Sequence, residues 1–384
     1  MRKTGDHMLY NELKEYTESG VYPMHMPGHK RNMRCLPPGL PYGIDITEIP
    51  GFDDLHNSNG VLRETAELAA DLYGSSKAFL LVNGSTVGNL AAIGAHTKRG
   101  DRILVAGNCH RSIHNATALF GLEPVFLTPE TDVTSGIALS IDPLSVDAAL
   151  QKDSAIKLVV VTSPTYEGVI SDIHSIARVA HARDIPLFVD SAHGAHLGFS
   201  GDFPDSAVQS GADVVVMSLH KTLPALTQCS LLHVCSDRVN VSEVARLLSI
   251  LQTSSPSYIL MASIDHCLRL LLADKDRLFC EYVQNLASFI ADLSKLKNLN
   301  ILFHSPNPLH PGFFAFDPGK IVIVTKNTAL SGFMLADILR TEYKIELELA
   351  CDGYALAMTS ICDSTDGFTR LSEALIKIDR TMEI

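Results

Sequence analysis

The sequence predicts an α/β protein, with a large domain on a mostly parallel seven-stranded sheet and a smaller α+β domain after it. Three observations predict it. Seven short β-rich runs alternate with helix-like segments between residues 77 and 234. Several of these runs are nearly all apolar, as strands are when helices cover both faces of their sheet. After about residue 256 the alternation stops, and one long helical stretch leads into shorter strands and helices. The division read from these changes is an irregular N-terminal segment over 1–59, a large domain over 60–255 and a small domain over 256–384.

The N-terminal segment is read as irregular because HMPGHKRNMRCLPPGLPYG is dense in proline and glycine, which break helices and force turns. Residues 60–73 follow as an amphipathic helix, with Gly74 as its C-cap. The strands are KAFLLVNG, RILVA, EPVFLT, KLVVVTSPT, PLFVDSA, DVVVMSLHK and CSLLHV. Between them NLAAIGAHTKRG, SIHNATALFG and IHSIARVAHARD carry helical periodicity. Alternation of this kind builds a parallel sheet. Beyond it, residues 258–297 read as a long helix bridging the two domains. NILFHSP, KIVIVTK and IELELACDGYALAMTSIC supply strands, and FTRLSEALIKIDRTM a closing helix.

Composition narrows the function. The chain has 384 residues, 46% of them hydrophobic and 19% charged, enough apolar surface for a real core and too little charge for extensive disorder. Lys and Arg number 31 against 43 Asp and Glu, a net charge of −12, which disfavours a sequence-independent nucleic-acid binder. No apolar run has the length of a membrane span. MRKTGDHMLYNELKEY has no apolar signal core behind its basic residues. The eight cysteines are scattered without a C-x-x-C pair, so they are read as reduced, mostly buried thiols, with no disulfide framework and no structural metal site. A cytoplasmic protein is expected.

Chemistry collects where strands end, because ligands of open α/β sheets bind at the strands' carboxyl ends. NGSTVGN (83–89) opens a helix after the first strand. Its small residues and the helix N-terminus suit an anion, with Ser85 and Thr86 as hydroxyl donors, although alone it reads as an ordinary turn. Asp190, at the end of PLFVD, can pair with a protonated ring nitrogen or cap the next segment. Lys221 follows DVVVMSLH. It is a solvated or phosphate-binding charge, unless desolvation makes it a Schiff-base amine. Ser218 and His220 flank it and can bind phosphate. His110 and His114 have the spacing of a helical metal pair, but no acidic third ligand lies nearby. His110 is read instead as a group that stacks on a planar ring.

Together these segments are more specific than any one of them. HMPGHK, DITEIPGFDDLH, FLLVNGSTVGNLAAI, CHRSIHNA, SPTYEGVISDI, VDSAHGAH and SLHKTLPALTQCSLLHV resemble the ornithine/lysine/arginine decarboxylase family, over about residues 24–258. These are pyridoxal 5′-phosphate (PLP) enzymes of fold-type I, the aspartate aminotransferase-like fold.

The resemblance implies a role for each residue. Lys221 would carry PLP as a Schiff base, Asp190 would keep the ring nitrogen protonated and His110 would stack on the ring. Ser85, Thr86, Ser218 and His220 would bind the phosphate, and His193 would lie beside the phenolic oxygen. Thr253, in QTSSPSY, would reach the phosphate of a neighbouring subunit, implying a homodimer with the active site at its interface. Glu348 would face the substrate, a basic amino acid whose distal cation needs a partner charge. Asp45, Glu48, Asp53 and Asp54 form a second acidic group, which reads mostly as a solvated loop. His25 and His29 in HMPGHK are candidates for the cavity entrance, although the Pro-Gly turn alone would explain that segment.

Larger members of the family carry an N-terminal wing domain and a long C-terminal domain. Here the first has no counterpart and the second a short one. Some relatives place an aromatic residue at the position of His193, and this chain has no Trp. The implied reaction is decarboxylation of arginine, lysine or ornithine, with an aminotransferase or lyase of the same fold as the alternative. A non-catalytic binding module would not need both Lys221 and Asp190.

Overall fold

The computed structural model describes residues 8–133, 135–302, 312–326 and 328–382. The chain opens with helix α1 (Leu9–Glu18), which the reading of residues 1–59 as irregular missed. Its signal is short: Leu9 and Leu13 lie one turn apart and are its buried face. Asp265 accepts a hydrogen bond from the backbone N–H of Leu9 (3.0 Å), fixing the helix to a distant part of the chain. Helix α2 (Val61–Tyr73) ends at Gly74 in the left-handed conformation (φ 75°), as expected. Its start is held by Asp53, whose carboxylate accepts from the N–H groups of Asn59, Gly60 and Leu62. Within the acidic DITEIPGFDDLH segment, Asp53 therefore has a structural task.

The alternation then appears in order: β1 (Lys77–Leu81), α3 (Gly84–His96), β2 (Arg102–Ala106), α4 (Arg111–Phe120), β3 (Glu123–Leu127), α5 (Pro143–Lys152), β4 (Ile156–Thr162), β5 (Val169–Ile170) and α6 (Ile173–His181). It continues through β6 (Leu187–Asp190), β7 (Val214–Ser218), the short α7 (Leu219–Thr222) and β8 (Ser230–Val234). The main sheet has seven strands in the order β1-β8-β7-β6-β4-β2-β3. All its pairings are parallel except those of β8, which runs antiparallel to both β1 and β7. The apolar runs are explained by two cores. Val214 and Val216 point into one, with Val87, Ala91 and Val244, while Val215 and Met217 point into the other, with Ala69 and Leu268.

After α8 (Val241–Leu251), helix α9 (Tyr258–Leu293) runs 36 residues, about 54 Å. Near its start Asp265 binds Thr65 of α2 as well as α1. Near its end Asn285 accepts from Thr365, and Phe289 packs on Phe368. The remaining elements are β9 (Asn300–Ile301), β10 (Ala315–Phe316), β11 (Lys320–Val324), α10 (Gly332–Tyr343), β12 (Leu349–Ala350), β13 (Tyr354–Met358) and α11 (Thr365–Thr381). A second sheet has the order β12-β13-β11-β9, with antiparallel pairings, and β10 pairs with β5. Most of NILFHSP lies outside the described residues. The cysteines are all free, but the expectation of mostly buried thiols fails: Cys229 and Cys267 are buried, whereas Cys35, Cys280 and Cys362 are exposed. They lie off the main-sheet strands, where burial is not imposed. Among the described residues no helix is long and apolar enough to cross a membrane.

Candidate active site

Five strand ends of the main sheet converge on one cavity of about 400 Å³. From the end of β1 come Ser85 and Thr86, from β2 His110, from β4 Thr162 and Tyr166, from β6 Asp190 and His193, and from β7 Ser218, His220 and Lys221. Eight of the nine cofactor-binding candidates read from the sequence therefore line it; Thr253 does not.

The anion cradle is built at the start of α3. Gly84 has a positive φ (72°), a conformation that a side chain would strain. Asn83 leaves the helix uncapped, because its Oδ1 accepts instead from the N–H of Thr253 (3.1 Å). Gly84, Ser85 and Thr86 of the first turn line the cavity; the N–H of Gly84 donates to the carbonyl of Gln228 (3.0 Å), and the helix dipole favours a negative charge at this end. Ser85 Oγ lies 2.6 Å from Ser218 Oγ and donates to Ser230 (3.3 Å), which ties the cradle to the lysine strand.

Asp190 is buried, with 1% of its surface exposed. It accepts from Asn89 Nδ2 (2.9 Å) and from the N–H of Ala192 (3.2 Å). Burial pushes its pKa up, against the opposing pull of Lys221, the Ala192 N–H, His110 and Asn89. A carboxylate so placed gains from a cation beside it. Lys221 Nζ lies 3.0 Å from His193 Nε2. Burial lowers its pKa below that of a free lysine, with Asp190 and Glu348 opposing. This is the desolvated amine that Schiff-base chemistry requires. His110 caps α4 and its Nδ1 lies 2.8 Å from Ser112 Oγ, while His114 turns to Cys109 Sγ (3.5 Å).

Several residues of the site escaped the sequence reading. Asn89 sits one helical turn after Ser85, a spacing that puts both on one face of α3. Thr162 and Tyr166 follow from treating the end of β4 like the other strand ends. Tyr166 lies against His193, with ring centroids 4.7 Å apart and the planes tilted by 60°, and its hydroxyl donates to Glu348. Glu348 thus touches a wall residue and does not itself line the cavity. Lys320, from β11 of the second sheet, places its amine 3.0 Å from His193 Nδ1, and nothing in the sequence signals it. His25 and His29 lie apart from the cavity, with Tyr16 (2.8 Å) and Asp45 (3.3 Å).

Residues 8–328 match the family model of the Orn/Lys/Arg decarboxylase major domain. The chain belongs to the Orn/Lys/Arg decarboxylase family. It is 38% identical to the uncharacterized protein YaaO of Bacillus subtilis, over 98% of this chain and 78% of that protein. It is 33% identical to an arginine decarboxylase of Bacillus cereus, over 96% of this chain and 81% of the relative. The fold matches the crystal structure of the Francisella novicida lysine decarboxylase LdcF, with a TM-score of 0.83 and 19% identity. That match covers 98% of this chain, which spans 60% of the length of LdcF. The same fold recurs in other PLP enzymes, among them an aminotransferase and a serine palmitoyltransferase. Family and fold make this a PLP-dependent amino acid decarboxylase by class, as the resemblance implied.

The cavity fits that cofactor. Asn89 Oδ1, Asn108 Oδ1 and Thr162 Oγ1 line it as buried polar atoms without a hydrogen-bond partner among the described residues. Buried atoms of this kind need a polar occupant. The anion cradle, the buried carboxylate and the desolvated amine match the phosphate, ring nitrogen and aldehyde of PLP in charge and reactivity.

Proposed function

We propose that the chain decarboxylates a basic amino acid, with arginine the first substrate to test, to the corresponding amine and CO2, a step of polyamine formation. The observation that carries this reading is the convergence of Lys221, Asp190, His110 and the Ser85–Thr86 cradle on one cavity in a chain of this family. Arginine comes first because relatives named as arginine decarboxylases align over almost the whole chain.

Bound in this cavity, PLP would supply a ring that takes up the electron pair released as the substrate's carboxylate departs. Lys221 would anchor it covalently and, once released, is the nearest amine to move a proton. Asp190 would hold a proton on the ring nitrogen, and the electrostatic stabilisation of the developing charge depends on it. His110 would cover the ring. Ser85, Thr86, Ser218, His220 and the α3 amides would hold the phosphate, and His193 the phenolic oxygen. The residues that fix the direction of the substrate's Cα–carboxylate bond would decide between decarboxylation and transamination.

The substrate's distal cation would extend past Tyr166 toward Glu348, whose carboxylate accepts from the Tyr166 hydroxyl. Glu348→Gln is expected to raise KM for the preferred amino acid by about tenfold, the equivalent of about 1.4 kcal/mol, with a smaller effect on kcat. An unchanged KM in steady-state assays removes Glu348 from that role.

A homodimer is part of this reading, with Thr253 serving the partner's phosphate site. It is supported by the apolar surface of residues 22–40, where Tyr22 is 68%, Met24 85% and Met26 66% exposed, more than an isolated segment normally leaves in water. The free thiols are in keeping with a cytoplasmic setting. The sequence-based division into a large domain to residue 255 and a small one beyond is retained as part of the proposal. Incubation of the PLP-loaded protein with equimolar arginine, lysine and ornithine, followed by mass spectrometry, tests the reaction. The corresponding amine without a keto acid is expected; a keto acid would overturn decarboxylation in favour of transamination.

A further inference from the structure

Asp190 and His110 are joined through two residues, Asn89 and Ser112, both 1% exposed. Asn89 Nδ2 donates to Asp190 Oδ2 (2.9 Å) and to Ser112 Oγ (2.8 Å), which uses both amide hydrogens. The neighbour fixes which end of the amide stands here, because an ionised carboxylate only accepts. Ser112 Oγ accepts from Asn89, so its one hydrogen is left for His110 Nδ1, 2.8 Å away.

The same ring nitrogen also receives the backbone N–H of Ser112 (3.2 Å), the bond by which His110 caps α4. A backbone N–H can only donate, so Nδ1 has to offer its lone pair. Two donors from one residue thus converge on Nδ1, and a proton placed there would face both of them. The neutral ring therefore carries its hydrogen on Nε2. His110 lines the cavity, so the nitrogen left for an occupant is Nε2, as an N–H donor.

We propose that Asn89 is a positioning residue for both groups that flank the cofactor ring: it holds Asp190 directly and, through Ser112, fixes His110 as the Nε2–H tautomer. This deepens the preceding reading and rests on it only in placing PLP in this cavity. The chemical consequence is a restriction. An imidazole held in this way donates a hydrogen bond to an acceptor, such as the substrate's carboxylate. It does not take the proton of the incoming α-ammonium group, because Nδ1 is filled and Nε2 already bears hydrogen. Asn89 also follows Ser85 by one turn of α3, so one face of that helix serves the phosphate, the ring nitrogen and the group covering the ring.

The test is ¹⁵N NMR of the full chain labelled at histidine, with and without bound PLP, at a pH about two units above the ordinary histidine value. Loss of signals in His110→Gln assigns the ring. Wild type is expected to show the Nε2–H tautomer in both states, and the Nδ1–H tautomer in either one overturns the proposal without recourse to a variant. In Ser112→Ala and in Asn89→Ala the Nδ1 resonance is expected to move downfield, because the hydroxyl no longer donates to it. Asn89 does not touch His110, so a merely structural role would leave that resonance in place. An Nδ1 resonance in Asn89→Ala that coincides with wild type overturns the link through Ser112. Equilibrium binding of 4′-deoxypyridoxine 5′-phosphate, which has no aldehyde to bond to Lys221, is expected to weaken about tenfold in Asn89→Ala as Asp190 loses a donor. Wild-type affinity there overturns the hold on Asp190. None of these measurements needs turnover, so failure to decarboxylate leaves them standing and the two readings fail separately.

Discussion

Lys221→Ala is expected to abolish the absorbance band of covalently held PLP and to lower decarboxylation by at least about 10³-fold. Among the described residues lining the cavity, the variant loses the lysine that lies with Asp190, Ser218 and His220. It keeps the α3 cradle and Ser85, so PLP should still bind reversibly and be removed by dialysis. Alanine also leaves His193 without its Nε2 partner, but the side chain it replaces faces a cavity, so the fold should persist. Absorption spectra before and after dialysis, with and without borohydride reduction, read the result. A band that survives dialysis in Lys221→Ala would place the covalent bond elsewhere and end this account of the site.

The second large effect is expected from Asp190→Asn, which should lower kcat by about 10²–10³-fold with little change in KM. The carboxylate sits among apolar strands with burial pressing its pKa up. Only a neighbouring cation makes its charge worthwhile, and a protonated ring nitrogen is such a cation. Asparagine is nearly the same size and can still accept from Asn89 and Ala192 through its carbonyl oxygen. What it lacks is the charge that keeps the ring nitrogen protonated as the carboxylate leaves. Steady-state kinetics on the amino acid identified by the product assay measure the effect. A kcat within about twofold of wild type would remove Asp190 from the chemistry.

Much of this architecture is legible locally. The seven strands show because their residues must satisfy two cores at once, and DVVVM and KLVVV have no other use for unbroken valines. The site residues at strand ends show for a related reason: a polar or charged residue that closes an apolar strand has few structural tasks. What fails to show is set at long range. Helix α1 is ten residues long, and it is held by Asp265, which no local pattern connects to it. Lys320 opens the KIVIVTK strand, where no local pattern marks it for burial, and its burial goes with its amine lying 3.0 Å from His193, beyond the end of β6 in the main sheet. Glu348 reaches the cavity through Tyr166, a contact across 182 positions of sequence.

The antiparallel strand β8 has a consequence for how the site can vary. Ser230 pairs with Leu81 on one side and with Ser218 on the other, so it stands between the anion cradle and the lysine strand. A slip of one position would turn its hydroxyl to the opposite face and break both connections together. The spacing between the α3 cradle and the lysine strand is thus gauged by a ladder of backbone hydrogen bonds. The turn over 223–229 is held to the same gauge, because the carbonyl of Gln228 accepts from the N–H of Gly84 (3.0 Å) and that of Cys229 from the N–H of Leu219 (3.0 Å).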